Sequence, residues 1–304
     1  MSSACHEPAG CNRVETNVMS WIKWSGLILA SAACVAALLW AYGATSWATR
    51  TRKLTERLEA ARVPPPVAAY DARELDGLPA PVQRYFRAVL RDGQSIVSAV
   101  SVSHSGRFNL SAVAERWKPF TSTQRVVTRR PGFVWDGRVA MLPGLTVHVH
   151  DAYIAGVGIL HPALLGLFTL ADLHGTGDIA EGELMRFVAE AAWYPTALLP
   201  SQGVRWEPLD ARSARVTLDD EGLRLTLTFS FGDDGLIDTA RAEARGRSVG
   251  ERIEMTPWQG RFWNYAEHSG MKVPQDGEVA WLLPNGPRPY WRGHIESLRY
   301  ELAR

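Results

Sequence analysis

Three ionisable residues in the stretch ELMRFVAEAAWYPTALLPSQGVRW, 183–206, are spaced for joint chemistry: Glu183, Arg186 and Glu190. On a helix, spacings of three and four stack them on one face. Two carboxylates beside an arginine can serve as acid and base if burial drives their protonation apart. The same helix places Leu184, Phe187, Val188 and Ala191 on the opposite face. The expectation is therefore a solvated salt-bridge face, with each pair contributing about 0.2–0.5 kcal/mol. Were the chain an enzyme, Glu183, Glu190 and His161 are the candidates to carry its chemistry.

Other candidates are weaker. His148 and His150 on a strand point the same way, as chelation requires, but Asp151 points to the other face and no third ligand is identified. No metal and no cofactor is expected. His104-Ser105-Gly106 and His268-Ser269-Gly270 do not fit the G-x-S-x-G nucleophile elbow. Gly156-Val-Gly158 and Gly175-Thr-Gly177 match neither a dinucleotide fingerprint nor a P-loop, and read as turn glycines. The net charge of +1 argues against a nucleic-acid partner.

The elements that would hold these residues are readable from period and punctuation. Residues 24–49, WSGLILASAACVAALLWAYGATSWAT, carry no charge and suffice to span a bilayer as a helix. Trp21, Trp24, Trp40 and Trp47 lie near its ends, where tryptophan favours the headgroup layer. The partner expected there is the lipid bilayer, with the chain a single-pass protein of the cell membrane. Arg50, Arg52, Lys53 and Arg57 follow the span while only Arg13 and Lys23 precede it, which leans toward a cytoplasmic domain. A signal segment starting at Met19 and cleaved near Ser46-Trp47-Ala48 is the alternative. Cys5, Cys11 and Cys34 all precede the domain, so its fold uses no disulfide.

The domain boundaries follow. Residues 1–23 form a tail, 24–49 the span, 50–77 a charged helical extension ending in Pro64-Pro65-Pro66, and 78–304 one domain. The domain opens with an amphipathic helix over 78–93, LPAPVQRYFRAVLRDG. Period-two runs follow at 96–104, 121–128, 133–141 and 145–151, then at 214–218, 223–231, 238–247, 261–268, 279–283 and 294–300. Between the two sets, the leucine-rich 160–173 and a helix from Asp178 to about Ala192, capped by Asp178 with Glu181, predict a central helical insert. Helix, strands, helices, strands without βαβ alternation predict an α+β fold: a large curved antiparallel sheet, half-barrel-like, covered by the N-terminal helix and the insert.

Trp117, Phe133, Trp135, Trp193, Tyr194, Trp206, Trp258 and Trp281 are the candidates to line or rim an apolar cavity between sheet and helices. For Trp193-Tyr194, packing as core is the competing expectation. Arg261, Arg288 and Arg292 are candidates for an anionic headgroup, against the alternative of stacking on tryptophan.

ERWKPFTSTQ, PGFVWDGRVAMLPGL, DAYIAGVG, PWQGRFWNYAEHSGMKVP and EVAWLLPNGPRPYWRGHI, with the stretch quoted first, resemble a bacterial family of unknown function over 78–301. That resemblance implies no activity, cofactor or catalytic residue. In element order the chain is similar to bacterial lipoprotein carriers, which implies a half-barrel able to hold an acyl chain. The reading is a membrane-anchored, non-enzymatic binder of lipid or another hydrophobic ligand. An enzyme acting on a membrane-associated substrate and a partner-binding domain with a filled core are the alternatives.

Overall fold

The computed structural model describes residues 12–111, 115–250 and 252–303. Helix α1, Asn12–Ala61, is continuous, so the apolar span and its charged extension are one rod of 50 residues. From Trp24 onward it is long and apolar enough to cross a membrane. Its surface is exposed from Trp24 through Tyr42, then one face becomes buried at Gly43, Trp47 and Leu58. Pro64, Pro65 and Pro66 follow, and a short 3-10 turn, Ala72–Leu75, precedes α2, Ala80–Val89. Proline at its start leaves no orphaned N–H, and Val82, Tyr85, Phe86 and Val89 turn to the core.

Five strands follow: β1 Val97–Asn109, β2 Trp117–Val127, β3 Gly132–Leu142, β4 Leu145–Ile154 and β5 Val157–Leu164. Two short ones are β6, Phe168–Thr169, and β7, Leu173–Gly175. After helix α3, Asp178–Glu190, and three 3-10 turns through Gln202 come β8 Val204–Pro208, β9 Ser213–Asp220, β10 Leu223–Phe231 and β11 Ile237–Val249. The long strands β12 Arg252–His268, β13 Met271–Leu283 and β14 Gly286–Leu302 complete the chain. All pair antiparallel in one open 14-stranded sheet, from β6 through β5 to β1, then β14 down to β8. β7 joins β5.

The expected helical character of 160–173 is corrected. Those residues form β5, β6 and β7, and Pro162 is tolerated because it lies between the stretches of β5 that β7 and β6 pair with. The cap at 178 is also corrected: Gly177 occupies it without a side-chain bond, and Asp178 and Glu181 sit in the first turn, where the helix dipole favours them.

The sheet must curl. β5 and β11 are eight strand spacings apart, about 38 Å if flat, yet α3, about 10 Å wide, touches both. Close approach on the β5 side depends on Gly158, where a Cβ would fall 2.6 Å from the Ala180 nitrogen. The result is a half-barrel whose inner face is filled by α2, α3 and the 3-10 turns around one large core.

The β1–β5 half is covered on both faces. Phe133, Trp135 and Tyr153 point in toward α3, whereas Ala99, Val127, Val134, Ala152 and Ile154 point out against Leu54 and Leu58 of α1.

Candidate functional site

Two places collect chemistry, one on each face of the β3–β4 hairpin. On the outer face, α1 lays Trp47 over His150 with ring centroids 3.8 Å apart and planes 8° from parallel. The Trp47 indole N–H donates to Asp136 Oδ1 at 2.9 Å. Thr51 Oγ1 lies 2.7 Å from His150 Nε2. Burial first, then the nearby His161, Arg50 and His148, push the His150 pKa down to about 3, so the ring is neutral. His148 and His150 therefore do share a face, as a strand dictates, but that face packs on tryptophan. Among the described residues no three His, Cys, Asp or Glu side chains are grouped to hold a metal. Trp47, expected in the headgroup layer, is 1% exposed because its indole is taken by Asp136 and His150.

On the inner face lies the polar cluster under α3. Glu183 is buried and Arg186 and Glu190 keep only 15% and 13% side-chain exposure, which corrects the expectation of a solvated face. The helix is covered all round because α3 fills the half-barrel. Arg186 donates to Asp151 Oδ2 at 2.5 Å and to Glu190 Oε1 at 2.6 Å. Its guanidinium sits 4.8 Å over Phe133 and 5.2 Å over Trp135. Gln124 donates to the other Glu190 oxygen at 2.6 Å. Burial alone would lower the Arg186 pKa, but Glu190, Asp151 and Glu183 outweigh it and hold the proton more tightly.

Glu183 lies 3.5 Å from Arg245, whose guanidinium stacks 4.9 Å over Trp258. Desolvation, then the adjacent Asp151 carboxylate, raise the Glu183 pKa well above the carboxylate range. Burial thus favours the neutral form of Glu183, while Arg186 is paired to both Asp151 and Glu190. Glu190 bonds Arg186 and Glu183 faces Arg245, so removal of Arg186 would leave Asp151 and Glu190 without their buried counterion.

Beside this cluster is a cavity of about 80 Å³, walled by Trp135, Trp193, Trp258, Phe262, Tyr290 and Trp291, with Asp151, Arg186, Glu190, Arg245 and the exposed Arg261 also in its lining. At about 30 Å³ per water it is smaller than an acyl chain needs. The interior expected to be hollow is thus packed with aromatic rings. Several buried polar atoms find no protein partner there: Trp135 Nε1, Trp193 Nε1 and Asp151 Oδ1.

The larger space is a cleft of about 460 Å³ at the mouth of the half-barrel. Leu160, Leu173, Ile179, Ile253 and Trp281 supply apolar walls, and Asp151, Asp172, His174, Asp178, Glu183, Arg245, Arg247 and Ser248 supply polar ones. Asp151, Arg245 and Tyr290 line both spaces, so they form the partition between cleft and cavity. Trp258 donates to the Tyr290 hydroxyl at 2.9 Å, and Tyr290 stacks on Trp281 at 5.7 Å.

Of the eight expected lining residues, Trp135, Trp193 and Trp258 meet at the cavity and Trp281 at the cleft. Phe133 is core beneath Arg186, and Tyr194 is core, its hydroxyl donating to the Phe187 carbonyl at 2.8 Å. Trp206 packs remotely, against Phe86, Phe229 and Phe231. Trp117 lies at the start of β2 under Arg292, 4.7 Å from ring centre to guanidinium, and Arg292 also bonds Glu278 at 2.7 Å. Arg288 is half-buried, opposite Trp281 on β13. The three arginines are not convergent. Arg245, Asp151 and Tyr290 carry no local sequence signal beyond strand alternation.

What the geometry defines is an open antiparallel half-barrel plugged by a helix, with an arginine–carboxylate cluster behind an amphipathic cleft. The chain belongs to the family of unknown function DUF6920, which matches residues 76–300. No curated protein matches it. Among solved structures it is similar to a LolA superfamily protein from Nitrosomonas europaea, at 11% identity and a TM-score of 0.32, covering 73% of this chain and 92% of that one. It is also similar to a beta-barrel-like protein of domain of unknown function DUF1849 from Brucella abortus, at 9% identity and a TM-score of 0.22, covering 68% and 99%.

Proposed function

We propose that this protein is a single-pass membrane-tethered binding module that takes a lipid or another hydrophobic ligand with a polar group. The ligand lies in the cleft between α3, the β5–β7 edge and the β11–β12 hairpin. The observation that carries this reading is the composition of the cleft: Leu160, Leu173, Ile179, Ile253 and Trp281 flank Arg245 and the unpartnered Oε2 of Glu183. Its volume falls in the range of small-molecule sites, which the 80 Å³ interior does not. Of the three arginines expected at a headgroup, none lines the cleft; Arg245 and Arg247 take that role in this reading.

Native mass spectrometry of the full chain extracted from membranes tests it. Co-purifying lipid is expected, and Ile179→Trp, which fills the cleft, should abolish it. A clean apo mass together with no lipophilic dye binding rejects the proposal.

A second reading, an enzyme acting on a membrane-associated substrate, is favoured by one feature: a buried Glu183 carboxyl whose pKa desolvation and the adjacent Asp151 push up. Turnover of a membrane lipid extract by the wild type, lost in Glu183→Gln while ligand binding persists, would support it. Identical product profiles would remove it.

A further inference from the structure

The antiparallel registers place the turns β1–β2, β3–β4, β5–β6 and β13–β14 at one end of their half of the sheet. That end exposes large apolar side chains: Leu142 at 64%, Phe168 at 59% and Leu170 at 58%. The opposite end exposes fewer and less: Leu209 at 44% in the β8–β9 turn, and Val63, Val67 and Leu302 at 39–47%.

The apolar half of α1 leaves the domain at the same end. Gly43 packs on the β5–β6 turn so closely that a Cβ there would run into the Leu165 carbonyl and Leu167. Trp40 shares a groove with Leu165, Ala140 and Arg138. At the other end of the docked segment, the Val63 N–H donates to the Arg129 carbonyl in the β2–β3 turn. The direction of α1 across the sheet is therefore fixed.

Depth follows from helix geometry. Trp24 to Gly43 is about 20 residues, roughly 30 Å at 1.5 Å per residue, the thickness of a bilayer's hydrocarbon core. If that stretch spans, Gly43 lies at the hydrocarbon edge, and the turn packed on it lies at the same depth. We infer that the β5–β6 segment, Leu165–Leu170, with Leu142 is a second membrane contact that inserts into the phospholipid headgroup–acyl boundary beside the anchor. This inference rests on α1 spanning the membrane, as in the proposed function.

The test uses the full chain with Cys5, Cys11 and Cys34 replaced by serine, reconstituted in phosphatidylcholine–phosphatidylglycerol vesicles. An environment-sensitive fluorophore is attached in turn at Phe168→Cys, at Ile28→Cys in α1 and at Asp233→Cys in the opposite turn. Blue-shifted emission and loss of most of it to shallow lipid-borne quenchers are expected at 168. At 28 the loss should go to deep quenchers, and at 233 neither change should occur. A label at 168 no more quenched than that at 233, with 28 still quenched, overturns the inference and leaves the anchor intact. A label at 28 that escapes lipid quenchers overturns both.

Discussion

Trp47→Ala probes how α1 is held to the sheet. Replacing a buried tryptophan by alanine costs about 3–5 kcal/mol. Trp47 is 1% exposed and stacks on His150, so the full range applies. Asp136 loses its indole donor but keeps the Thr51 hydroxyl at 3.3 Å, which limits any further penalty. The other contributions to docking are smaller. Leu58 adds about 1.5–3 kcal/mol. The pairs of Arg62 and Arg125 with Glu59 and Glu301 are partly exposed and add about 0–1 kcal/mol each. The inner core contains no residue of α1. A loss of about 3 kcal/mol lowers the docking equilibrium constant roughly 10²-fold without unfolding the domain. Amide exchange in detergent micelles reads this directly: residues 44–61 should lose about two orders of magnitude of protection while 97–102 and 184–189 keep theirs. Parallel loss in the core strands would refute the separation of docking from folding. Unchanged protection at 44–61 would refute the weight given to Trp47.

Three further outcomes are expected. Burial, with Arg186 nearby, pushes the His104 pKa down to about 3, as burial and neighbouring cations do for His150. Depressed histidines contribute stability that is present above pH 6.5 and lost as pH falls toward 3, by at most about 1.4 kcal/mol per pH unit each. The thermal midpoint of the micelle-held chain should therefore drop between pH 6.5 and 4, and His104→Gln with His150→Gln should flatten that slope; parallel slopes would count against it. Glu183→Gln has the opposite sign: a raised carboxyl pKa gives stability present below about pH 4.3 and lost as pH rises through its folded value. The variant should gain on the wild type as pH rises from 4 to 8, and a pH-independent difference would contradict a neutral Glu183. Gly158→Val should separate α3 from β5, costing about 1–3 kcal/mol by overpacking, seen as a lower thermal midpoint; an unchanged midpoint would mean the approach is not tight.

Much of the architecture was legible because its rules are local. Leu223, Leu225, Leu227, Phe229 and Phe231 alternate as a half-buried strand must, and β10 is there. Pro79 and Gly93 bracket the amphipathic helix near its observed limits. The long strands β12 and β14 read as short ones because Pro257 and Pro289 look like breaks. Both fall at register shifts, where a missing N–H costs little. The leucine-rich 160–173 read as helix because apolar runs do not announce their period.

The site was harder to see for a tertiary reason. Glu183, Arg186 and Glu190 have the spacing of a solvated face, and only the curl of the sheet around α3 buries them. Their partners Asp151, Gln124 and Arg245 come from β4, β2 and β11, distances along the chain that no local pattern encodes. Trp135, Trp193 and Trp258 do meet at one small cavity, but the rings fill the interior and leave the roomier cleft at its mouth.

The proposed binding cleft is tested most directly by photo-crosslinking. The full chain is reconstituted with a phospholipid carrying a photoactivatable acyl chain, irradiated and mapped by peptide mass spectrometry. Adducts on the peptides of Ile179 and Trp281, lost in Ile179→Trp, are the expected result, since those side chains wall the cleft and lie away from the exposed face of α1. Adducts confined to 24–42 would contradict it, leaving a tethered domain whose interior and cleft never meet lipid.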